Sequence, residues 1–185
     1  MDEAARASLP TVLVLASGQG RRFAESGGVG NKLQADLAGK TVLQRTLAAV
    51  QASGLHWHLE DAGHPGMGDS IAAAVRATRG AAGWLILPGD LPLLAPSTLL
   101  QLAQASPQAT VLVPVFAGQR GHPVRFGAAC GEALLRLQGS AGAASVVAQY
   151  PAVHWNVQDA GCVTDIDTLA DLQRVRTFLH TQTHK

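Results

Sequence analysis

The 185-residue chain is poor in charge, in aromatic rings and in cysteine. Charged residues make up 15%, and 14 Lys and Arg against 13 Asp and Glu leave a net charge of +1. The basic stripe that grips a phosphodiester backbone by counterion release is therefore missing. Three Trp, one Tyr and four Phe offer few platforms for stacked bases, which argues against single-stranded nucleic acid as a partner. Cys130 and Cys162 stand in different segments without CxxC or Cys/His spacing, so they read as small apolar side chains and not as a disulfide or a zinc site. The apolar runs near 82–95 and 109–117 are too short for a bilayer and are broken by Pro and Gly. The first ten residues lack the apolar stretch of a secretory signal. The expectation is a cytoplasmic protein with neither nucleic acid nor membrane as partner. What is abundant is hydrophobic material, 47% of the chain, enough for a single domain over 1–185 with 1–9 and 181–185 as frayed tails.

Short apolar runs alternate with helical patterns, the rhythm of a mostly parallel sheet in an α/β protein. Strands are predicted at Thr11 to Ala16, Trp57 to Glu60, Trp84 to Leu87, Thr110 to Val115 and Ala152 to Val157. Helices are predicted from Thr41 to Ala52, from a cap at Asp69 or Ser70 through Val75, and from Pro96 through Leu102. Shorter ones are expected at Ala128 to Leu137 and Ala141 to Tyr150. A last helix starts at a Thr168/Asp171 capping pair and carries Leu169, Leu172, Val175 and Leu179 on one face.

In such sheets ligands sit beyond the carboxyl ends of the strands. After the first strand comes Ala16, Ser17, Gly18, Gln19, Gly20, Arg21, Arg22, Phe23, with Lys32 further on. Glycines let backbone N–H groups approach a phosphate, and Arg and Lys neutralise it. The dinucleotide fingerprint fails at Phe23, and the Walker pattern fails because Leu33 follows Lys32. Asp90, in Leu87-Pro88-Gly89-Asp90-Leu91-Pro92, follows a strand where Mg²⁺ is usefully held, although a turn aspartate bonding its own backbone is the plainer alternative. Asp165 and Asp167 precede the last helix, where capping alone would account for one of them. Gly66 and Ser70 could read a base edge or simply start a helix, and His122 could meet an anionic substrate or be solvated. His56 and His58 read as surface residues with no third metal ligand.

Taken together, Leu15 to Gly18 with Arg22, Phe23 and Lys32; Gly66 to Ser70; Leu87 to Pro92; Val113, Pro114, Gly118 and Gly121 to Phe126; and Asp165 to Thr168 occur in family order. In this the chain resembles the MobA-like nucleotidyltransferases related to molybdenum cofactor cytidylyltransferase. The resemblance implies a Rossmann-like three-layer α/β/α sandwich, here one strand-helix unit shorter because only one short strand fits between Gly54 and Pro65. It implies a Mg²⁺-dependent transfer of a nucleoside monophosphate from an NTP, CTP first, to a phosphorylated pterin, molybdopterin, with release of pyrophosphate and transient contact with a molybdoenzyme. Arg22, Lys32 and Asp90 would be catalytic. Leu15, Ala16, Ser17, Gly18, Arg22, Lys32, Gly66 and Ser70 would bind nucleotide, Asp90 and Asp165 would hold the metal, and His122 would face the acceptor. A GTP-using molybdopterin guanylyltransferase, a nucleotidyltransferase on another phosphorylated acceptor and a non-catalytic carrier of cofactor or nucleotide are the alternatives. The carrier reading is motivated by Gly139 to Ala144, where the family's Gly-Asp and Gly-Ala-Arg charges are absent.

Overall fold

The computed structural model describes residues 3–18, 20–105 and 109–183. Helix α1 (Glu3–Ala7) leads into β1 (Thr11–Leu15), followed by the short α2 (Arg21–Glu25), a 3-10 turn at Lys32–Gln34 and a small hairpin of β2 (Asp36–Leu37) with β3 (Lys40–Thr41). Then come α3 (Val42–Ser53), β4 (Trp57–Glu60), α4 (Met67–Ala77), β5 (Gly83–Pro88) and α5 (Pro96–Gln104). The second half holds β6 (Val111–Phe116), β7 (Gln119–Arg120), β8 (Val124–Gly127), α6 (Gly131–Leu135), α7 (Ala144–Val147), β9 (Ala152–Asn156) and α8 (Leu169–Thr183).

One seven-stranded sheet runs β4-β1-β5-β8-β6-β7, with β9 parallel to β6 on its other side. β4, β1 and β5 are parallel, and β8 lies antiparallel to both β5 and β6, so β6 and β9 point the same way as β1. Alternation along the central strands builds the layers. Val12, Val14, Leu85 and Leu87 face one core with Val50 of α3 and Leu99 and Leu102 of α5. Leu13, Leu15, Trp84 and Ile86 face the other with Ile71, Ala74 and Val75 of α4, Leu134 of α6 and Val146 of α7. Two-sided burial explains why β1 and β5 read as continuous apolar runs. A third cluster of Phe23, Leu33, Leu37, Val42, Ile166, Leu172 and Val175 ties the loop after β1 to α8.

The α/β sandwich with a mostly parallel sheet agrees with the sequence, and α3 lies where helical spacing placed it; the structure adds a capping box of the Thr41 hydroxyl with Gln44 and an end at Gly54 in the left-handed conformation (φ 69). Cys130 and Cys162 are free and buried as expected, and burial pushes the Cys162 thiol up to about 11. Other elements differ. β8 was not expected, because Val124-Arg125-Phe126-Gly127 carries a charge in a short run. Arg125 is buried there and donates to the Ala105 carbonyl at 2.8 Å, beyond the end of α5. Helix α4 begins at Met67, with Gly66 as the residue ahead of it; Asp69 accepts instead from the Gly139 N–H at 3.0 Å. The patterns at 128–137 and 141–150 shrink to a 3-10 turn and the short α6 and α7. The tails are more regular than expected. Residues 3–7 are helical, Leu9 packs on the core, and α8 continues to Thr183, while 1–2 and 184–185 lie outside the described residues. Only β4 stands between α3 and α4, which puts β4 at the edge of the sheet with Trp57 exposed.

Candidate active site

A cavity of about 410 Å³ opens at the carboxyl ends of β4, β1 and β5. The loop after β1 supplies Ser17, Gly18 and Gly20, the start of α2 supplies Arg21 and Arg22, and the 3-10 turn supplies Lys32 and Leu33. The turn is started by Asn31, whose side chain accepts from the Leu33 N–H. From β5 come Pro88, Gly89 and Asp90. Their loop is fixed by the Gly89 N–H donating to the Leu15 carbonyl (2.9 Å) and by the buried Thr46 hydroxyl donating to the Gly89 carbonyl (3.0 Å).

Charges converge at one end. Lys32 Nζ donates to Asp90 Oδ2 at 2.6 Å and to Asp167 Oδ1 at 2.9 Å, and Arg22 pairs with Asp167. Burial disfavours the Lys32 ammonium, but Asp90 and Asp167 overcome that penalty and hold its pKa above the ordinary lysine value. The segment bearing Asp167 is pinned in place by the Ile166 N–H donating to the Asp90 carbonyl (3.0 Å). Asp165 is exposed beside this cluster. Its partly closed surroundings, with the negative charges of Asp167 and Asp90, raise its pKa above the aspartate norm.

Among the described residues, the buried Oδ1 of Asp90 has no hydrogen-bond partner. A buried carboxylate oxygen left bare is costly unless something positive meets it, and this atom therefore fits a cation ligand. No three His, Cys, Asp or Glu side chains among the described residues gather as a self-sufficient metal cage. A divalent cation that takes one or two carboxylates and completes its shell with water and phosphate would be met by the bare oxygen of Asp90.

The other end of the cavity, beyond β1, is built by His64, Pro65, Gly66, Met67 and Ser70, with Ser140. Its walls are fixed by close packing. A side chain at Gly66 would overlap the Gly139 carbonyl, and one at Gly68 would lie 2.8 Å from backbone of Gln138 and Ala141. The Gly68 N–H donates to the Gly139 carbonyl at 2.9 Å. The close approach anticipated at Gly66 is thus made to the protein's own 139–141 loop, and the Ser70 hydroxyl donates to the Gly66 carbonyl at 3.2 Å. Ser17 ties the two loops together by donating to the Ala62 carbonyl at 2.7 Å.

Of the residues singled out from sequence, Leu15, Ser17, Gly18, Arg22, Lys32, Gly66, Ser70 and Asp90 line this one cavity. Ala16 sits in the same loop with its N–H donating to the Glu60 carbonyl, and Gln19 lies outside the described residues. His122 is exposed outside the cavity lining, within electrostatic reach of Asp90 and Asp165, and its N–H donates to the Cys162 carbonyl. Sequence reasoning passed over Asp167 as a partner of both cations, and His64 and Ser140 as lining residues. It also read His58 as surface, whereas His58 is half-buried and its Nε2 lies 3.4 Å from Glu60 Oε2. Glu60 was missed: it is the one buried residue of the edge strand β4, and a buried acid there is paired.

Residues 48–154, more than half of the chain, match the MobA-like NTP transferase domain. An alignment 140 positions long, covering 62% of the chain, is 30% identical to the bifunctional protein GlmU of Xylella fastidiosa, of whose length the chain spans only 30%. Among solved structures, Rv0371c of Mycobacterium tuberculosis H37Rv superimposes with a TM-score of 0.76 at 23% identity over 92% of this chain and 98% of that one. A structure of the same protein in complex with manganese gives 0.71 at 23% identity over 91% and 98%. Molybdopterin-guanine dinucleotide biosynthesis protein A of Archaeoglobus fulgidus gives 0.68 at 19% over 92% and 99%. At these identities the superpositions establish the shared fold, and the domain match establishes the lineage: the chain belongs to the MobA-like NTP transferase domain family.

Proposed function

We propose that this protein transfers CMP from CTP to a phosphate monoester on a pterin, molybdopterin, and releases pyrophosphate. The observation that carries the reading is the convergence of Arg22, Lys32, Asp90 and Asp167 at one end of a cavity whose other end is nearly uncharged. A triphosphate needs cations and a metal-holding carboxylate, and a base needs close backbone and small polar groups.

Asp90, through the bare Oδ1, would hold Mg²⁺, and Asp165 is the second carboxylate within reach. When bound, the ion supplies charge neutralisation at the phosphates. Lys32 carries its positive charge, reinforced by Asp90 and Asp167, against the triphosphate, and Arg22, 75% exposed, closes over it from solvent. Asp167 orients both cations. The attacking phosphate monoester is largely ionised near neutral pH, so no general base is required. Catalysis is then positioning and electrostatic stabilisation of the α-phosphorus as the pyrophosphate leaves. His122, near Asp90 but outside the nucleotide cavity, faces the acceptor, and molybdoenzymes are the consumers of the product. A cytoplasmic location, where NTPs and Mg²⁺ are supplied, accords with this reading, and no helix of the described residues is long and apolar enough to cross a membrane.

The test is Mg²⁺-dependent thermal stabilisation by CTP, GTP, ATP and UTP in turn, followed by pyrophosphate release with the pterin acceptor. Stabilisation and turnover led by CTP are expected. A lead for GTP would make the protein a guanylyltransferase, and tight pterin binding without pyrophosphate release would make it a carrier.

A further inference from the structure

Glu60 closes β4 with 8% of its surface exposed, and each of its carboxylate oxygens meets a histidine: Oε1 lies 2.9 Å from His64 Nε2, and Oε2 lies 3.4 Å from His58 Nε2. Burial alone would raise its pKa, but the contacts with His64 and His58 hold it below the ordinary glutamate value, so the group is an anion. A carboxylate only accepts, so Nε2 of His64 carries the hydrogen and, in the neutral imidazole, Nδ1 is a bare acceptor. His64 lines the cavity, and Glu60 is the only protein partner of its ring among the described residues. Its loop is also held in place. The His64 N–H donates to the Ala62 carbonyl (2.8 Å), which also accepts from Ser17 (2.7 Å), and Gly66 is wedged against Gly139.

β1 lies between β4 and β5, so the His64 loop and Asp90 are two strand spacings apart, about 10 Å. The phosphate-binding end and the His64 end are thus separate places in one cavity, and His64 belongs with the base.

We infer that His64, oriented by Glu60, is a specificity-determining residue that accepts a hydrogen bond from the exocyclic amino group of the base and so selects cytosine over uracil. The inference rests on the proposed nucleotide site. The two pyrimidines differ at that position as donor and acceptor: cytosine offers N4–H and uracil offers O4. Against O4 the bare Nδ1 would face a second acceptor, and an unpaired polar contact is where discrimination arises.

The experiment is calorimetric titration of CTP and of UTP, each with Mg²⁺, into wild type, His64→Phe, Glu60→Ala and Glu60→Gln at about pH 8. Wild type should bind CTP about tenfold tighter than UTP. His64→Phe, which keeps the ring volume, should bind the two alike. Glu60→Ala should lose the preference and Glu60→Gln, which retains an acceptor for Nε2, should keep it; loss in Ala with rescue in Gln marks Glu60 as a positioning residue. Melting curves without ligand verify that each variant is folded. Equal binding of CTP and UTP by wild type, or an unchanged preference in His64→Phe, overturns the inference and leaves the nucleotide site standing. Binding of neither CTP nor UTP by wild type overturns the inference, and binding of none of CTP, UTP, GTP and ATP overturns the nucleotide site with it.

Discussion

Lys32 Nζ stands 2.6 Å from Asp90 Oδ2, and the two side chains are only 12% and 13% exposed. They are 58 positions apart and meet because β1 and β5 are neighbours in the sheet. Asp90 thus serves Lys32 with one oxygen and leaves the other bare. Asp90→Asn keeps the shape and removes the charge. Pyrophosphate release should fall by roughly 10²-fold or more, while circular dichroism stays native. Unchanged turnover would take Asp90 out of the mechanism.

Arg22 and Lys32 share Asp167 but differ in exposure, 75% against 12%. A solvent-facing ion pair adds about 0–1 kcal/mol. Arg22→Ala should therefore leave the melting temperature within about 4 °C of wild type and act mainly on nucleotide, with KM for the NTP rising about tenfold. A large drop in melting temperature with no change in KM would show that Arg22 is structural.

Asp171 accepts from the Thr168 N–H (2.8 Å) and hydroxyl (2.7 Å), while its own N–H donates to Thr168 Oγ1 (3.2 Å). Burial raises its pKa, but these bonds and that from Arg174 outweigh it and leave the folded value below the unfolded one. The stabilisation is therefore complete above the unfolded aspartate pKa, about 3.9, and is lost as pH falls through the lower folded value. Asp171→Ala should cost about 1 kcal/mol at neutral pH, and this difference should vanish in acid. Denaturant titrations at pH 7 and in the acid limb measure both; a difference that persists in acid would refute the charge-based account.

Gly66→Ala tests the wall of the cavity. The added methyl must displace the Gly139 backbone, so a loss of about 1–3 kcal/mol is expected, together with weaker NTP-dependent stabilisation. Wild-type melting behaviour in Gly66→Ala would show that the 139–141 loop yields freely.

Strands β1 and β5 were legible because burial on both faces writes an unbroken apolar run, α3 because its apolar residues recur at helical spacing, and α8 because capping chemistry marks its start. β8 was not, since Arg125 and the neighbouring Gly121 and Pro123 argue locally against a strand; pairing with β5 and β6 on both sides overrides that. The cation loop and Asp90 were legible from their place after strands. Asp167 was harder to see, because capping near α8 explains an acid there equally well, and only the approach of Lys32 and Arg22 separates the two roles. Glu60 and His64 carry no motif. Their pairing emerges from the turn that brings position 64 back over the end of β4.

Arg22 is separated from Asp167 by 145 positions and Lys32 from the same carboxylate by 135. Such contacts form late, after the long loop between them has been closed by the sheet. During synthesis, which runs from the N-terminus, the cations are made first and stay without this counter-charge until the start of the last helix has emerged. The completed charge cluster is therefore a report that the whole domain has folded, and a chain stopped short of residue 167 can own nearly all of its sheet and still have no finished site.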